Sequence, residues 1–337
     1  MRPLALVPIC AAALLLGACA PALRAVPADA RVDAPAAWST APLSSSAVEA
    51  RWWEGFGNAG LNRQVEAALA RNANLQQAAT RVAAARAQLA LAEGALLPAL
   101  NAAVAADASH TLTAAGVGTS RIVQPQLQAS WEPDLWNHLS DRRRAADWQL
   151  RASQAERDAV ALSVAAATAQ AYVDLLAREA QLAQTRKTAE LRRQSLALAQ
   201  DQQAHGYISR LQLTQAEAEF EAVQQQIPAL RLAISRQRNA LQLLAGELPA
   251  ATERDSEGDA DSDAAALAAQ FESLALPPVP GMLPSELLGR RPDLAQAAAQ
   301  LAASDAGLRV SRAAFLPSVR LSASLGGLYA NALHYDP

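Results

Sequence analysis

Leu75, Val82, Leu89 and Leu96 recur at intervals of seven, and Ala78, Ala85 and Ala92 stand three places after the first three. A seam that alternates large and small residues lets helices approach closely, so the spacing predicts a helix over 74–97 with a coiled-coil partner. After Leu97-Pro98 the period changes from seven to two. Leu100, Ala102, Val104, Ala106 and Ala108 alternate with Asn101, Ala103, Ala105, Asp107 and Ser109. Beyond a glycine-containing turn, Val123, Leu127, Ala129 and Trp131 alternate with Gln124, Gln126, Gln128 and Ser130. Alternation of this kind predicts a β-hairpin over 99–132 with one apolar and one polar face. Pro125 is a blemish in the second strand, tolerable at a bulge or near a strand start.

A long helical pattern follows, from a Ser140 cap to about Gln203, interrupted at His205-Gly206-Tyr207 and resuming to Leu244. In the second arm Leu213, Ala216, Phe220, Val223, Ile227, Leu230, Ile234, Gln237, Leu241 and Leu244 alternate spacings of three and four, a second sustained seam. Pro228 lies within it and predicts a kink that does not end the helix. At about 1.5 Å per residue the 140–203 helix spans roughly 96 Å, the 74–97 helix roughly 36 Å and the 209–244 arm roughly 54 Å. The two shorter pieces laid end to end match the long one. The expected unit is therefore a rod, a long antiparallel helical hairpin (140–244) with the strand hairpin at one end.

Self-comparison shows the pattern starting again. Leu97-Pro98 recurs as Leu316-Pro317, and with that offset Leu69, Arg71, Leu75, Gln77 and Leu89 fall on Leu288, Arg290, Leu294, Gln296 and Leu308. A second seam, Leu294, Leu301, Leu308 and Phe315 with Ala297, Ser304 and Ser311, leads into Val319, Leu321, Ala323 and Leu325 alternating with Ser318, Arg320, Ser322 and Ser324. The division expected is two tandem repeats: 51–245, a linker over 246–282, and the start of a second repeat over 283–337. The second lacks a return strand, long helix and tip, and a fragment of a longer product is expected over a shortened gene.

Composition sharpens this picture. Of 337 residues 51% are hydrophobic, but only 4% are aromatic and 85 are alanine, which favours long, closely packed helices over a wide globular core. Twenty-nine cationic against 32 acidic side chains give a net charge of −3, so nothing points to nucleic acid. Residues 1–18 carry Arg2 and an apolar run from Ala11 to Leu16, the signature of a removable secretory leader. Leu16-Gly17-Ala18-Cys19 resembles the bacterial lipobox, which makes Cys19 the first mature residue and the site of lipidation. Ala20 rather than Asp after it favours the outer membrane, and 19–50, rich in Pro, Ala and Ser, reads as an extended tether. On an exported, lipid-anchored chain, strands with one lipid-compatible face predict a transmembrane β-barrel whose polar face lines water. Trp131 and Trp136 suit either an interfacial aromatic girdle or packing at the junction of strands and helix.

These features, together with Arg51-Trp52-Trp53, Trp131-Glu132-Pro133-Asp134-Leu135-Trp136, Gly206-Tyr207-Ile208-Ser209, Leu248-Pro249, Leu283-Pro284-Ser285-Glu286-Leu287-Leu288 and Arg290-Arg291-Pro292-Asp293-Leu294, resemble the TolC-type outer-membrane efflux factors. The likeness is to their OprM/NodT lipoprotein branch. The fold class implied is mainly α with membrane β-strands: an α-barrel element and a transmembrane hairpin. The resemblance further implies a homotrimeric duct with twelve strands, a periplasmic adaptor protein and an inner-membrane pump as partners, and export of drugs or other small molecules. Under it Asn101, Asp107, Ser109, Gln124, Gln126, Gln128 and Ser130 face the lumen. Gly206, Tyr207, Ile208, Ser209, Leu211 and Gln212 form the adaptor-contact tip, with Gln212 where relatives often carry an acid.

Arg142-Arg143-Arg144 reads as a solvated basic rim, and the acidic run from Glu253 to Asp263 as a loop, without the ligand spacing of a metal site. His110, His138, His205 and His334 lack metal-ligand spacing, and no nucleophile motif or phosphate-binding loop accompanies them, so no enzyme and no cofactor is expected. The competing reading is a non-transporting periplasmic lipoprotein, a helical spacer or adaptor-like binding protein.

Overall fold

In the computed structural model, residues 50–113, 116–249, 269–277 and 284–331 are described. Cys19, the leader, the acidic run and His334 lie outside them. A 3-10 turn, Trp52–Phe56, leads into α1 (Ala59–Arg71) and α2 (Ala73–Gly94). The hairpin β1 (Ala99–Thr113) and β2 (Gly116–Trp131) comes next, then α3 (His138–Ala204), α4 (Arg210–Gln224) and α5 (Gln226–Leu244). The chain continues through α6 (Pro284–Arg290), α7 (Pro292–Ala313), β3 (Leu321–Gly326) and β4 (Tyr329–Ala330).

The 67 residues of α3 make a spine about 100 Å long on which every other helix except α6 packs. Its near half runs antiparallel to α2, with ion pairs Arg143–Glu93 and Arg81–Glu156 across the seam. The far half runs antiparallel to α4 and α5, with Arg192–Glu219 and Arg238–Glu179. The two shorter arms do meet end to end. Asn72 caps α2 through its side-chain oxygen, while its amide donates to the carbonyl of Leu244 at the end of α5 (2.9 Å). Gly246 holds φ at +71° beside them, where an added Cβ would come within 2.4 Å of the Arg71 carbonyl oxygen. At this level of the spine Trp53, Leu61, Val65, Ala165, Ala169, Tyr172, Leu176 and Leu241 form the hydrophobic core. A window of α3 is also apolar enough, by length and composition, to cross a bilayer.

The heptad positions decide which faces are covered. All seven seam positions of the first stretch are buried or half-buried, as are all ten of the second arm, so both seams face α3 as their spacing predicts. The seam of α7 does not. Leu301 is 73% and Phe315 92% exposed, and Ala299 and Ala306 on another face are buried against α3 instead. The alanines on that face let α7 lie close to the spine, and Arg309 reaches the buried Asp141 (3.2 Å) across the contact. Among the described residues no helix covers this second seam.

One expectation needs correction. Ser140 does not cap the spine, which begins at His138 after Asn137, a residue in the left-handed region (φ +59°). The cap is the carboxylate of Asp134, which accepts from the N–H of Leu139 (3.0 Å) and of Ser140 (2.8 Å). Pro228 disturbs the second arm without ending it: the ladder breaks at Gln225, which keeps helical dihedrals (φ −63°, ψ −22°), and the seam runs on. Proline lacks the N–H that would bond to the carbonyl of Gln224 and its ring crowds that carbonyl, so the ladder fails one turn upstream of the proline itself.

Candidate transport surface and helical tip

The sheet has the order β1-β2-β3, with β4 also on β2, and every pairing is antiparallel. The register of the β1–β2 pair places Asn101 opposite Gln128, Ala103 opposite Gln126 and Ala105 opposite Gln124. Asp107 falls opposite Ile122 and Ser109 opposite Ser120. β3 adds Ser324 beside Gln128 and Ser322 beside Ser130. Successive residues of a strand point to opposite sides, so Asn101, Asp107, Ser109, Gln124, Gln126, Gln128 and Ser130 share one face. The other face carries the rows Leu100–Ala129–Ala323, Ala102–Leu127–Leu325, Val104–Pro125 and Ala106–Val123–Tyr329. Both faces are largely exposed. From Trp131, opposite Leu321 at the helix end of the apolar rows, to Arg121 beyond the last of them is about 34 Å along β2.

Pro125 is accommodated in a strand with neighbours on both sides, which sequence rules disfavour. Its carbonyl accepts from the N–H of Gly327 (3.1 Å), so the position where an N–H is missing points to the same neighbour. β3 and β4 share one register against β2, and the gap between them falls opposite Pro125 and Gln124. The proline divides the neighbouring strand and leaves the β1 ladder intact. Gly326 permits the close approach there, since a Cβ would meet the Pro125 carbonyl oxygen at 2.9 Å.

Where sheet meets rod, both indole N–H groups are used as latches. Trp131 donates to the carbonyl of Leu96 (3.1 Å) and Trp136 to that of Pro317 (2.8 Å), so each secures one of the two Leu-Pro junctions. Of the two roles open to them from sequence, the junction role is the one these bonds display. Arg320 faces Glu132 (3.4 Å) beside this latch. Arg143 and Arg144 of the basic rim bond carboxylates of Glu93 and Asp141 and are not simply solvated. Partial burial disfavours the charged form of Asp134, but bonds from the Ser140 hydroxyl and the N–H groups of Ser140 and Leu139 outweigh it. With His138 nearby, they hold the carboxyl below its ordinary value.

At the far end, α3 closes on Gly206 (φ +76°), whose N–H bonds the carbonyl of Gln203, while Tyr207 N–H bonds that of Gln202. These paired bonds form a Schellman stop, which favours glycine at the left-handed position. Ser209 then starts α4 with a capping box: its hydroxyl accepts from Gln212 N–H, and the Gln212 side chain accepts from Ser209 N–H (2.9 Å). Gln212 is thus engaged locally, which the S-x-x-Q spacing could have revealed. Tyr207 (81% exposed) and Leu211 (68% exposed) project outward, while Ile208 is half-buried. His205 stacks on Tyr207 with ring centres 6.4 Å apart.

Sequence reasoning missed the pair of half-buried Arg238 with buried Glu179 (2.7 Å) and the Asp141–Arg309 contact. Glu179 sits three residues after the buried Leu176 and three before Leu182, so a charge on a heptad stripe was the available signal. Among the described residues His110, His138 and His205 lie on a strand, at the start of α3 and at the tip, and no group of three or more His, Cys, Asp or Glu could hold a metal ion.

A long spine with paired short arms and a two-faced sheet at one end is shared with known proteins. The crystal structure of the channel protein CusC superposes with a TM-score of 0.69 at 27% identity, covering 89% of this chain and 66% of that one. The outer-membrane channel OprN gives 0.71 at 25% identity, covering 92% and 72%. The pyoverdine export outer membrane protein OpmQ of Pseudomonas aeruginosa is 32% identical over 336 residues, covering 96% of this chain and 67% of that protein. The chain thus spans about two thirds of the length of such relatives. The sequence profile of the family described as "Outer membrane efflux protein" matches residues 65–247 and 283–330, and the chain belongs to that family.

Proposed function

We propose that this protein is the outer-membrane duct of a tripartite efflux system, walling a water-filled passage together with identical subunits. The observation that carries this reading is the strand register, which gathers amides and hydroxyls on one face and aliphatic side chains on the other. In a lipid-spanning barrel the apolar rows face the hydrocarbon and the polar ones face water. At a strand tilt near 40°, the roughly 34 Å from Trp131 to Arg121 covers about 26 Å of membrane normal, close to the height of such apolar bands. β1 lacks a neighbour on its outer side among the described residues, and an unpaired edge in lipid is costly. Closure therefore needs more strands than the three positions across that the described residues supply; a return strand within the third of the relatives' length that this chain does not span would give four per chain and twelve in a homotrimer.

The finer features belong to the same proposal. The chain comprises two tandem repeats, 51–245 and a second beginning at 283, joined by the 246–282 linker, and the open seam of α7 matches the face that α2 buries. Cys19 is acylated after removal of residues 1–18, and 19–50 tethers the lipid to the rod. The helical part lies in the periplasm. Its tip, Gly206, Tyr207, Ile208, Ser209, Leu211 and Gln212, meets a periplasmic adaptor coupled to an inner-membrane pump. No covalent chemistry is assigned to the duct. The cargo is drugs or other small molecules, and OpmQ, named for pyoverdine export, supports a small-molecule route.

The test is expression in a strain whose own efflux ducts are deleted. A heat-modifiable trimer in the outer membrane that restores export of a fluorescent dye is expected. A soluble or monomeric lipoprotein that leaves dye retained would support the non-transporting alternative and refute the duct.

A further inference from the structure

The charge along the polar face of the sheet is uneven. At the helix end Glu132 and Arg320 face each other at 3.4 Å and offset one another. Above them come only neutral groups: Ser130 and Ser322, then Asn101, Gln128 and Ser324, then Gln126 beside Gly326, then Gln124. Next is Asp107, opposite Ile122, followed by Ser109 and Ser120. Asp107 is exposed and, among the described residues, has neither an ion-pair nor a hydrogen-bond partner. Arg121, the cation nearest to it along β2, belongs to the opposite face, opposite Ala108. Asp107 lies at the rim of the apolar rows, level with Arg121 on the other face, where water reaches a charge on either side, and it shares its own face with the amides and hydroxyls below it.

We infer that Asp107 sets the charge preference of the passage, favouring cationic and neutral small molecules over anionic ones near its outer mouth. This rests on the duct reading and goes one step beyond it. Amides and hydroxyls neither attract nor repel an ion by net charge, so among the described residues of this face above the Glu132–Arg320 pair the net charge comes from Asp107. Identical copies bring one such carboxylate each to the same height and so form an acidic ring. A unit charge acts over about 8 Å at physiological ionic strength, so the ring discriminates locally and weakens as salt rises.

The experiment is reconstitution of the purified protein in planar lipid bilayers, with reversal potentials measured across a potassium chloride gradient. At about 0.1 M salt, Asp107→Asn is expected to lower the cation-to-anion permeability ratio by about twofold or more, while Asp107→Glu retains it. Asp107→Lys is expected to invert the preference, and at about 1 M salt, where screening is within about 3 Å, the variants should converge. A second measurement avoids dependence on how each variant assembles. Asp107→Cys channels, once conducting, are modified in place with a cationic or an anionic methanethiosulfonate, and the two adducts should shift the reversal potential in opposite directions. Conducting channels whose reversal potential ignores every change at this position would overturn the inference and leave the duct standing. Absence of any conductance from the unmutated protein would overturn both.

Discussion

Asp134 shows how much of this architecture depends on single polar atoms. It accepts two of the free N–H groups at the start of a helix about 100 Å long, from a turn that Asn137 closes by adopting a left-handed conformation. Asp134→Ala is expected to cost about 1 kcal/mol, read as a lower thermal midpoint. Because the folded carboxyl sits below its ordinary value, its contribution is complete above about pH 4 and is lost as pH falls through the folded value. The gap between unmutated protein and variant should be constant from pH 5 to 8 and narrow in more acidic solution. Deeper in the rod, Arg238→Met removes the half-buried cation that bonds the buried Glu179 and is expected to cost about 1–2 kcal/mol. Replacing both residues by methionine should recover most of that loss, since the pair together gains little over well-packed apolar groups. Denaturant midpoints of the single and double variants decide this; equal losses in both would show that packing, not charge, is what the site needs.

Among the elements, those with a strong period were legible and those governed by tertiary choice were not. The ten positions of the second arm and the seven of the first follow their heptads because one partner, α3, covers each seam. The α7 seam has the same spacing, yet its alanine-lined side is the one that lies on α3; periodicity gives the stripe but not the neighbour. Ser140 reads as a cap by residue type, while the real cap acts from Asp134, outside any local cap spacing. The strand faces were readable from alternation, and the register sets them across three strands. This yields a paired prediction. Val104→Lys places a charge in the apolar rows and is expected to prevent outer-membrane assembly, at a cost of about 2–4 kcal/mol per chain, whereas Ala103→Lys, one residue away, is tolerated. Equal trimer yields from the two would contradict the assigned faces. At the tip, Gly206→Ala leaves no clash for its Cβ and so should cost only the left-handed backbone, about 1–2 kcal/mol. Hydrogen exchange should rise at 203–209 and stay unchanged in the rod.

The whole molecule is a spine, arms cut to its length and a sheet with two chemically opposed sides, held in line by latches at the junction. Its core is a short band at mid-length; elsewhere the helices present long exposed stripes, as expected of a subunit whose remaining surfaces meet other chains. The central claim is that the polar side of the sheet faces water and the apolar side lipid. Single cysteines at Gln124, Gln126 and Gln128, and separately at Val123, Leu127 and Ala129, can be challenged in intact outer membranes with a bulky charged thiol reagent. The account predicts rapid labelling of the first three and protection of the second three. Labelling at equal rates on both sides, or the reverse order, would contradict it.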